Sequence, residues 1–105
     1  FIVEGANFPT TYEAMKILEE NGTTVIPDII ANAGGVIASS EEYLHSTSTR
    51  KLTKEKVFEI IDEKISPNLQ KAFEVSEREN ISLDLACSLI AVERVYNTMR
   101  KQGWV

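Results

Sequence analysis

The chain has 105 residues, 43% of them hydrophobic and 26% charged, and a formal net charge of −5. This composition is typical of one small globular domain, and the negative charge with interspersed Lys and Arg argues against nucleic-acid binding. No apolar run approaches the ~20 residues that span a bilayer, the N-terminus lacks the pattern of a signal peptide, and the lone Cys87 cannot form an internal disulfide. We therefore expect a cytoplasmic protein that binds neither nucleic acid nor membrane.

Two short apolar segments predict β-strands. Phe1-Ile2-Val3-Glu4 precedes a turn at Gly5-Ala6-Asn7, and Thr23-Thr24-Val25-Ile26 is ended by Pro27. The segment between them has helical end signals, so the predicted order is strand, helix, strand. Such a unit has a right-handed crossover and parallel strands, and we expect both strands to end at the same edge of a sheet.

The helix between the strands is predicted from its caps. Thr10 supplies an N-terminal cap, Glu13 three residues later can reach back to it, and Asn21-Gly22 is a C-terminal stop signal. We expect its sheet-facing side to comprise Tyr12, either Met15 or the stem of Lys16, and Ile17 and Leu18. This helix therefore covers one face of the sheet.

Two more helices follow the second strand. One is predicted after Gly34-Gly35, running to about His45, and a polar loop follows at Ser46-Thr47-Ser48-Thr49. A long helical pattern then extends from Thr53 to Asn80, and Ser66-Pro67 should kink or restart it, because proline lacks a backbone donor. The apolar face of this long pattern comprises Val57, Ile60, Ile61, Ile65, Leu69, Ala72, Phe73 and Ser76.

The last predicted helix is capped by Ser82 and ends near Gly103. Its apolar stripe comprises Leu85, Leu89, Val92, Tyr96 and Met99. Cys87 lies in the same helix, where buried and inert packing is the expected role of a cysteine. Trp104 follows the helix, and we expect it to dock on the body of the protein because large aromatic side chains gain from burial.

Isolated polar residues give no sign of catalysis. His45 is the single histidine, and its predicted place near a helix end favours a solvated or helix-terminal role. The pair Glu41-Glu42 is expected on a solvated helix face. No Cys/His cluster has the spacing of metal ligands, so we expect no metal site.

Two longer motifs carry the functional signal. They are Glu4-Gly5-Ala6-Asn7-Phe8-Pro9-Thr10-Thr11 and Ile26-Pro27-Asp28-Ile29-Ile30-Ala31-Asn32-Ala33-Gly34-Gly35-Val36. Each places an asparagine, Asn7 or Asn32, in a small-residue turn after a strand, which is where open α/β sheets bind ligands. Asparagine is also common as a structural turn residue, and composition alone favours that role over ligand binding.

Together with Leu85-Ala86-Cys87-Ser88-Leu89-Ile90-Ala91-Val92-Glu93-Arg94-Val95-Tyr96 and Gly103-Trp104-Val105, these motifs give the chain a family resemblance over nearly its whole length. It resembles the nicotinamide-side half of the coenzyme domain of the glutamate/leucine/phenylalanine/valine dehydrogenase family. The implied fold is α/β, the C-terminal part of a Rossmann-like dinucleotide-binding domain with two parallel strands and a crossover helix, followed by a helical tail. Residues 1–46 would form the nicotinamide-side half, and residues 47–105 the C-terminal helices packed on it.

The resemblance also implies a cofactor and a substrate site. Gly5, Ala6, Asn7 and Asn32 match cofactor-binding positions for NAD or NADP, with Asn32 beside the nicotinamide carboxamide and Asn7 near its ribose. Gly5 and Ala6 would leave room for the cofactor, and Gly34-Gly35 would let the chain turn sharply into a helix. Val36 and Ser39, three residues apart, match positions that line the substrate side-chain pocket. A solvated or back-bonded helix serine is the alternative for Ser39.

The implied activity is oxidative deamination of L-glutamate to 2-oxoglutarate and ammonia. The chain has no G-x-G-x-x-G turn, so the phosphate-binding half is expected upstream, together with a substrate domain that carries the proton-transfer residues. We therefore assign no catalytic residue to this segment and expect the segment alone to be inactive. A homo-oligomer is expected, since family members are commonly hexamers. The alternative is a non-catalytic structural or assembly module derived from this family.

Overall fold

Two short parallel strands set the position of both motifs. In the computed structural model, which describes residues 1–49 and 51–105, β1 is Ile2–Val3 and β2 is Val25–Ile26. The strands pair in parallel, with Ile2 opposite Val25 and Val3 opposite Ile26. The predicted parallel strand pair is confirmed, and the observed strands are shorter than the predicted ones. Their carboxyl ends lie at one edge of the sheet.

The crossover helix, α1, spans Tyr12–Glu20. Its cap is Thr11, whose Oγ1 accepts a hydrogen bond from the Ala14 N–H at 3.2 Å. The prediction of Thr10 as the cap is wrong by one residue, because Thr11 is the residue with the extended backbone that a cap requires. The predicted stop is confirmed: Asn21 caps the helix and Gly22 has a φ of 71°.

The face that α1 turns toward the protein is narrower than predicted. Ala14, Met15 and Leu18 are half-buried, whereas Tyr12 and Ile17 are exposed, Tyr12 by 82%. Placing Tyr12 and Ile17 on the sheet-facing side is therefore wrong. The sheet has only two strands of two residues each, so it offers α1 a surface for a single stripe of side chains.

A short helix that the sequence analysis missed, α2, spans Asp28–Ala31, and α3 follows at Gly34–Ser46 as predicted. Gly34 and Gly35 are the first two residues of α3, and the chain turns at Asn32 and Ala33, just before the pair that was expected to form the turn. Gly34 instead allows close approach between helices, because a Cβ added there would lie 3.6 Å from Cγ2 of Ile61.

The long helix α4 spans Lys54–Glu79, with Thr53 as its cap and Asn80 in the left-handed conformation at its end. All eight predicted apolar-face positions are buried or half-buried, which confirms that face. A restart at Pro67 is wrong, since one helix of 26 residues runs through it. Packing along the whole apolar face holds the helix together despite the missing proline donor.

The last helix, α5, spans Leu83–Lys101 and is capped by Ser82, whose Oγ accepts from the Leu85 N–H at 3.2 Å. Ala72 of α4 forms the core with Leu83 and Cys87. Partly buried side chains complete this core; they are Ile26, Ile30, Phe73 and Ile90. The small residues Ala72 and Ala86 are fully buried, so α4 and α5 pack through small side chains.

Four of the five residues of the predicted α5 stripe face solvent, and the fifth, Met99, is half-buried. Leu85, Leu89, Val92 and Tyr96 are between 40% and 66% exposed. The tight α4–α5 turn explains the difference: the Ile81 N–H donates to the Ser76 carbonyl oxygen, and the Ser76 Oγ donates to the Ile81 carbonyl oxygen. These bonds orient α5 with its smaller residues toward α4.

The prediction for the C-terminal tail is wrong, whereas the prediction for Cys87 is confirmed. Trp104 is 70% exposed, so its predicted docking is wrong; its backbone N–H donates to the Met99 carbonyl oxygen, and Gly103 has a φ of 74°. Cys87 is buried, as predicted. Its burial, assisted by the charge of Asp84, raises the pKa of the Cys87 thiol to about 11.

The close packing of α4 against α5 predicts that Ala72 cannot be replaced by a larger side chain without loss of stability. Ala72→Leu should destabilise the protein by about 1–3 kcal/mol, because added methylene groups overpack a filled core. Lys71→Leu is the matched control, since Lys71 is the exposed neighbour on the same helix. Urea unfolding followed by far-ultraviolet circular dichroism measures both. Equal midpoints for the two variants would show that the contact has room to spare.

The raised pKa of Cys87 predicts slow thiol chemistry. At pH 8, Cys87 should react with a chromogenic disulfide roughly 100-fold more slowly than an exposed cysteine, because the thiolate is the reactive form. The comparison protein is Cys87→Ala/Ser88→Cys, which moves the thiol to the exposed neighbouring position. The Cys87 rate should keep rising with pH toward about 11. Equal rates at pH 8 would contradict the buried thiol.

Candidate functional site

The structure brings together the two asparagines that follow the strands. The Asn32 Nδ2 donates a hydrogen bond to the Asn7 Oδ1 at 2.6 Å, across 25 residues of sequence. Asn7 is exposed in the turn after β1, and Asn32 is half-buried at the end of α2. Parallel pairing of β1 with β2 carries both residues to the same edge of the sheet.

The pair retains capacity to bind a ligand. The remaining amide atoms of the pair are the Asn7 Nδ2 and the Asn32 Oδ1, and neither makes a hydrogen bond within residues 1–49 and 51–105. The backbone N–H of Asn32 donates to the Asp28 carbonyl oxygen at 3.0 Å, so the backbone alone caps α2 and the side chain is left for Asn7. The pair offers donors and an acceptor side by side, the set that a carboxamide group requires.

The small residues before Asn7 leave the approach to the pair open. Gly5 and Ala6 are exposed. A Cβ added at Gly5 would meet no atom within 4 Å. A flat ring or a ribose can therefore come close to this turn without displacing protein atoms.

Two acidic residues that the sequence analysis did not select connect the turn to the sheet. The Phe8 N–H donates to the Asp28 Oδ2 at 2.7 Å, and the Asp28 N–H donates to the Glu4 Oε2 at 3.1 Å. Glu4 is only 6% exposed. Their signal in the sequence is an acidic residue close to the end of each strand: Glu4 directly follows β1, and Asp28 follows β2 after Pro27.

These carboxylates also affect a neighbour on α5. Burial, followed by the charges of Glu4 and Asp28, raises the pKa of Asp84 above its usual range. Three acidic groups thus lie near the start of α5. In the part of the chain that the structure describes, no group of three or more His, Cys, Asp or Glu side chains could hold a metal ion.

Val36 and Ser39 line one open groove of about 580 Å³ along α3. Tyr43 and Ser40 also border it. The Ser40 Oγ donates to the Val36 carbonyl oxygen at 2.9 Å, so Ser40 is the back-bonded serine. The Ser39 hydroxyl makes no hydrogen bond within the described ranges and is available to a ligand.

Other polar residues of α3 form a contact with α4. The Glu41 side chain is only 13% exposed, and its Oε1 lies 3.5 Å from the Lys64 Nζ. The predicted solvated role of Glu41 is therefore wrong, because α4 covers it. His45 lies near the end of α3 as predicted, with its Nδ1 2.9 Å from the Glu41 carbonyl oxygen.

A second cavity of about 560 Å³ lies among α2, α3, α4 and α5. Apolar side chains such as Ile37, Cys87 and Ile90 line much of it, and none of the predicted site residues does.

None of the helices in the described ranges is long and apolar enough to cross a bilayer.

Comparisons with known proteins give relatives over almost the whole chain. A glutamate dehydrogenase of Aeropyrum pernix is 41% identical over 108 residues, covering 99% of this chain. An NAD-specific glutamate dehydrogenase of Staphylococcus aureus is 36% identical over 103 residues, covering 98% of this chain. The crystal structure of a glutamate dehydrogenase from Peptoniphilus asaccharolyticus matches with a TM-score of 0.87 and 31% identity over 98% of this chain.

The chain spans about a quarter of each relative. The covered share is 26% for the A. pernix protein, 25% for the S. aureus protein and 26% for the P. asaccharolyticus structure. The sequence profile described as Glutamate/Leucine/Phenylalanine/Valine dehydrogenase matches residues 1–103. The chain therefore belongs to the glutamate/leucine/phenylalanine/valine dehydrogenase family.

Proposed function

We propose that this chain is part of an NAD(P)-dependent glutamate dehydrogenase and holds the nicotinamide end of its coenzyme. The reaction is oxidative deamination of L-glutamate to 2-oxoglutarate and ammonia. The observation that carries this proposal is the Asn32–Asn7 amide pair at the carboxyl ends of two parallel strands. The relatives named as glutamate dehydrogenases support the choice of substrate.

The residues of this chain bind and orient. A bound nicotinamide coenzyme would supply the acceptor for the hydride of the glutamate α-carbon, and hydrolysis of the substrate iminium by water would give 2-oxoglutarate and ammonia. The amides of Asn7 and Asn32 hold the carboxamide, which fixes the face of the ring that meets the α-carbon. Val36 and Ser39 contact the substrate side chain, with the Ser39 hydroxyl donating to its distal carboxylate. Proton transfer belongs to residues outside this chain.

The proposal extends to the domains, coenzyme, compartment and assembly of the full-length protein. Residues 1–46 belong to a Rossmann-like coenzyme domain, whose phosphate-binding half and partner substrate domain precede them, and residues 47–105 pack on it. NAD is the first coenzyme to test, because the S. aureus relative is named NAD-specific, and NADP is the alternative. We place the protein in the cytoplasm as a homo-oligomer, with a hexamer as the expected assembly.

A structural or assembly module without catalysis is the second candidate. The exposed apolar stripe of α5 favours it, since Leu85, Leu89, Val92 and Tyr96 lie on the solvent-facing side of that helix. The Cα radius of gyration of 16.3 Å also exceeds the ~13 Å of a compact domain of this size, so several faces are open to other parts. Coenzyme-dependent turnover of glutamate by the full-length protein separates the two candidates, because only the enzyme produces reduced nicotinamide.

Asn32→Ala in the full-length protein tests the amide pair. We expect hydride transfer to fall by roughly 10- to 1000-fold, because the ring loses one or two oriented hydrogen bonds. Reduced-nicotinamide absorbance with glutamate and NAD or NADP measures the effect. Asn97→Ala is the control, since it removes an exposed helical asparagine of α5. If kcat and the coenzyme KM of Asn32→Ala match the wild type, Asn32 is a turn residue.

Ser39→Val tests the substrate side of the site. The distal carboxylate of glutamate would lose a hydrogen bond, so kcat/KM for glutamate should fall by an amount equivalent to ~1.5–3 kcal/mol of transition-state stabilisation. Activity on norvaline should hold or rise. Ser88→Val is the control, because it adds the same β-branched side chain at an exposed helical serine. Equal losses for glutamate and norvaline would point to a disturbed helix. No change for either substrate would place Ser39 in solvent.

A further inference from the structure

The turn that carries Asn7 is not held by apolar packing. Residues 5–9 are exposed, and Phe8 beside Asn7 has a side chain that is 90% exposed. Phe8 also has a φ of 47°, a left-handed conformation that residues other than glycine adopt rarely. The position of Asn7 therefore depends on hydrogen bonds: the one that its side chain accepts from Asn32, and the one that the Phe8 backbone donates to Asp28.

Asp28 bonds to both sides of the amide pair. Its Oδ2 accepts from the Phe8 N–H at 2.7 Å, and its carbonyl oxygen accepts from the Asn32 N–H at 3.0 Å. Its own N–H donates to the Glu4 Oε2 at 3.1 Å. One residue thus joins the turn next to Asn7, the end of α2 at Asn32 and the end of β1 at Glu4.

Glu4 is an unfavourable residue for stability alone. Its carboxylate is buried, and in the described part of the chain its Oε1 has no hydrogen-bond partner. Burying a carboxylate with so few partners opposes folding. The hydrogen bond that its side chain does make goes to the Asp28 N–H, so what Glu4 contributes passes through Asp28.

We propose that Asp28 is a positioning residue that sets the separation of the Asn7 and Asn32 amides, and that Glu4 acts through it. This inference rests on the proposed function, because it assigns those amides to the coenzyme carboxamide. In this proposal Asp28 acts through the turn and α2, and the two amides make the contacts to the coenzyme. Its carboxylate holds the turn from one side while its carbonyl oxygen holds α2 from the other.

The test uses the full-length dehydrogenase with Asp28→Ala and Asp28→Asn. Asp28→Ala should lower kcat/KM for the coenzyme by on the order of 10- to 100-fold, the effect of losing a charge-assisted hydrogen bond, while the KM for glutamate changes little. Asp28→Asn keeps an oxygen that accepts from the Phe8 N–H and should recover most of the loss. Glu55→Ala, which removes an exposed first-turn carboxylate from α4, should leave the kinetics unchanged.

A double-mutant cycle separates positioning from general stabilisation. In an Asn7→Ala background, Asp28→Ala should cost less than about twofold more, because the amide that it positions is gone. A residue that only stabilised the fold would lower activity by the same factor in both backgrounds. Hydrogen exchange of residues 5–11 gives a readout independent of activity: Asp28→Ala should gain one fast-exchanging amide, that of Phe8, and Asp28→Asn should not.

The outcomes are distinguishable. Unchanged coenzyme kinetics in folded Asp28→Ala protein, or losses that multiply in the double variant, would overturn the positioning role while leaving the proposed function intact. Absence of coenzyme-dependent turnover in the wild-type protein would overturn both. If Asp28→Ala does not fold, Asp28→Ser replaces it, because its shorter hydroxyl leaves the Phe8 N–H without a close acceptor, and the same loss of kcat/KM is expected.

Discussion

The parallel pairing of β1 with β2 is the constraint on which the rest of the site depends. Because the strands run in the same direction, the chain must cross back through α1, and the residues after each strand come to one edge. Asn7 and Asn32 meet there, although 25 residues separate them. The strands themselves are only two residues long, so hydrogen bonds outside the sheet complete the arrangement.

Those hydrogen bonds come from acidic side chains that the fold keeps close together. Asp28 links the turn, the short helix α2 and the buried carboxylate of Glu4. Burial is the main cause that raises the pKa of Asp84 on α5, and the charges of Glu4 and Asp28 raise it further. The site edge therefore combines hydrogen bonds from Asp28 and Glu4 with like charges that act on Asp84.

The core between α4 and α5 supports the edge of the sheet that carries the site. Leu83 and Cys87 of α5 pack on Ala72 of α4, and Ile26 of β2 and Ile30 of α2 pack against the same core. The second motif is thus anchored in the α4–α5 contact. The same rotation of α5 leaves its larger apolar residues on the outside, where another part of a longer protein can cover them.

By itself, the sequence determined the order of the elements other than α2, most helix caps and the apolar face of α4, because turn chemistry and helical periodicity are local. It also indicated both asparagines, since small-residue turns after β-branched runs are local patterns. Only the tertiary structure decided which face of α5 is buried, because the short turn at Ser76 and Ile81 sets the rotation of that helix. The roles of Glu4 and Asp28 likewise required the structure, because their hydrogen bonds join residues 20 or more positions apart and leave no periodic trace.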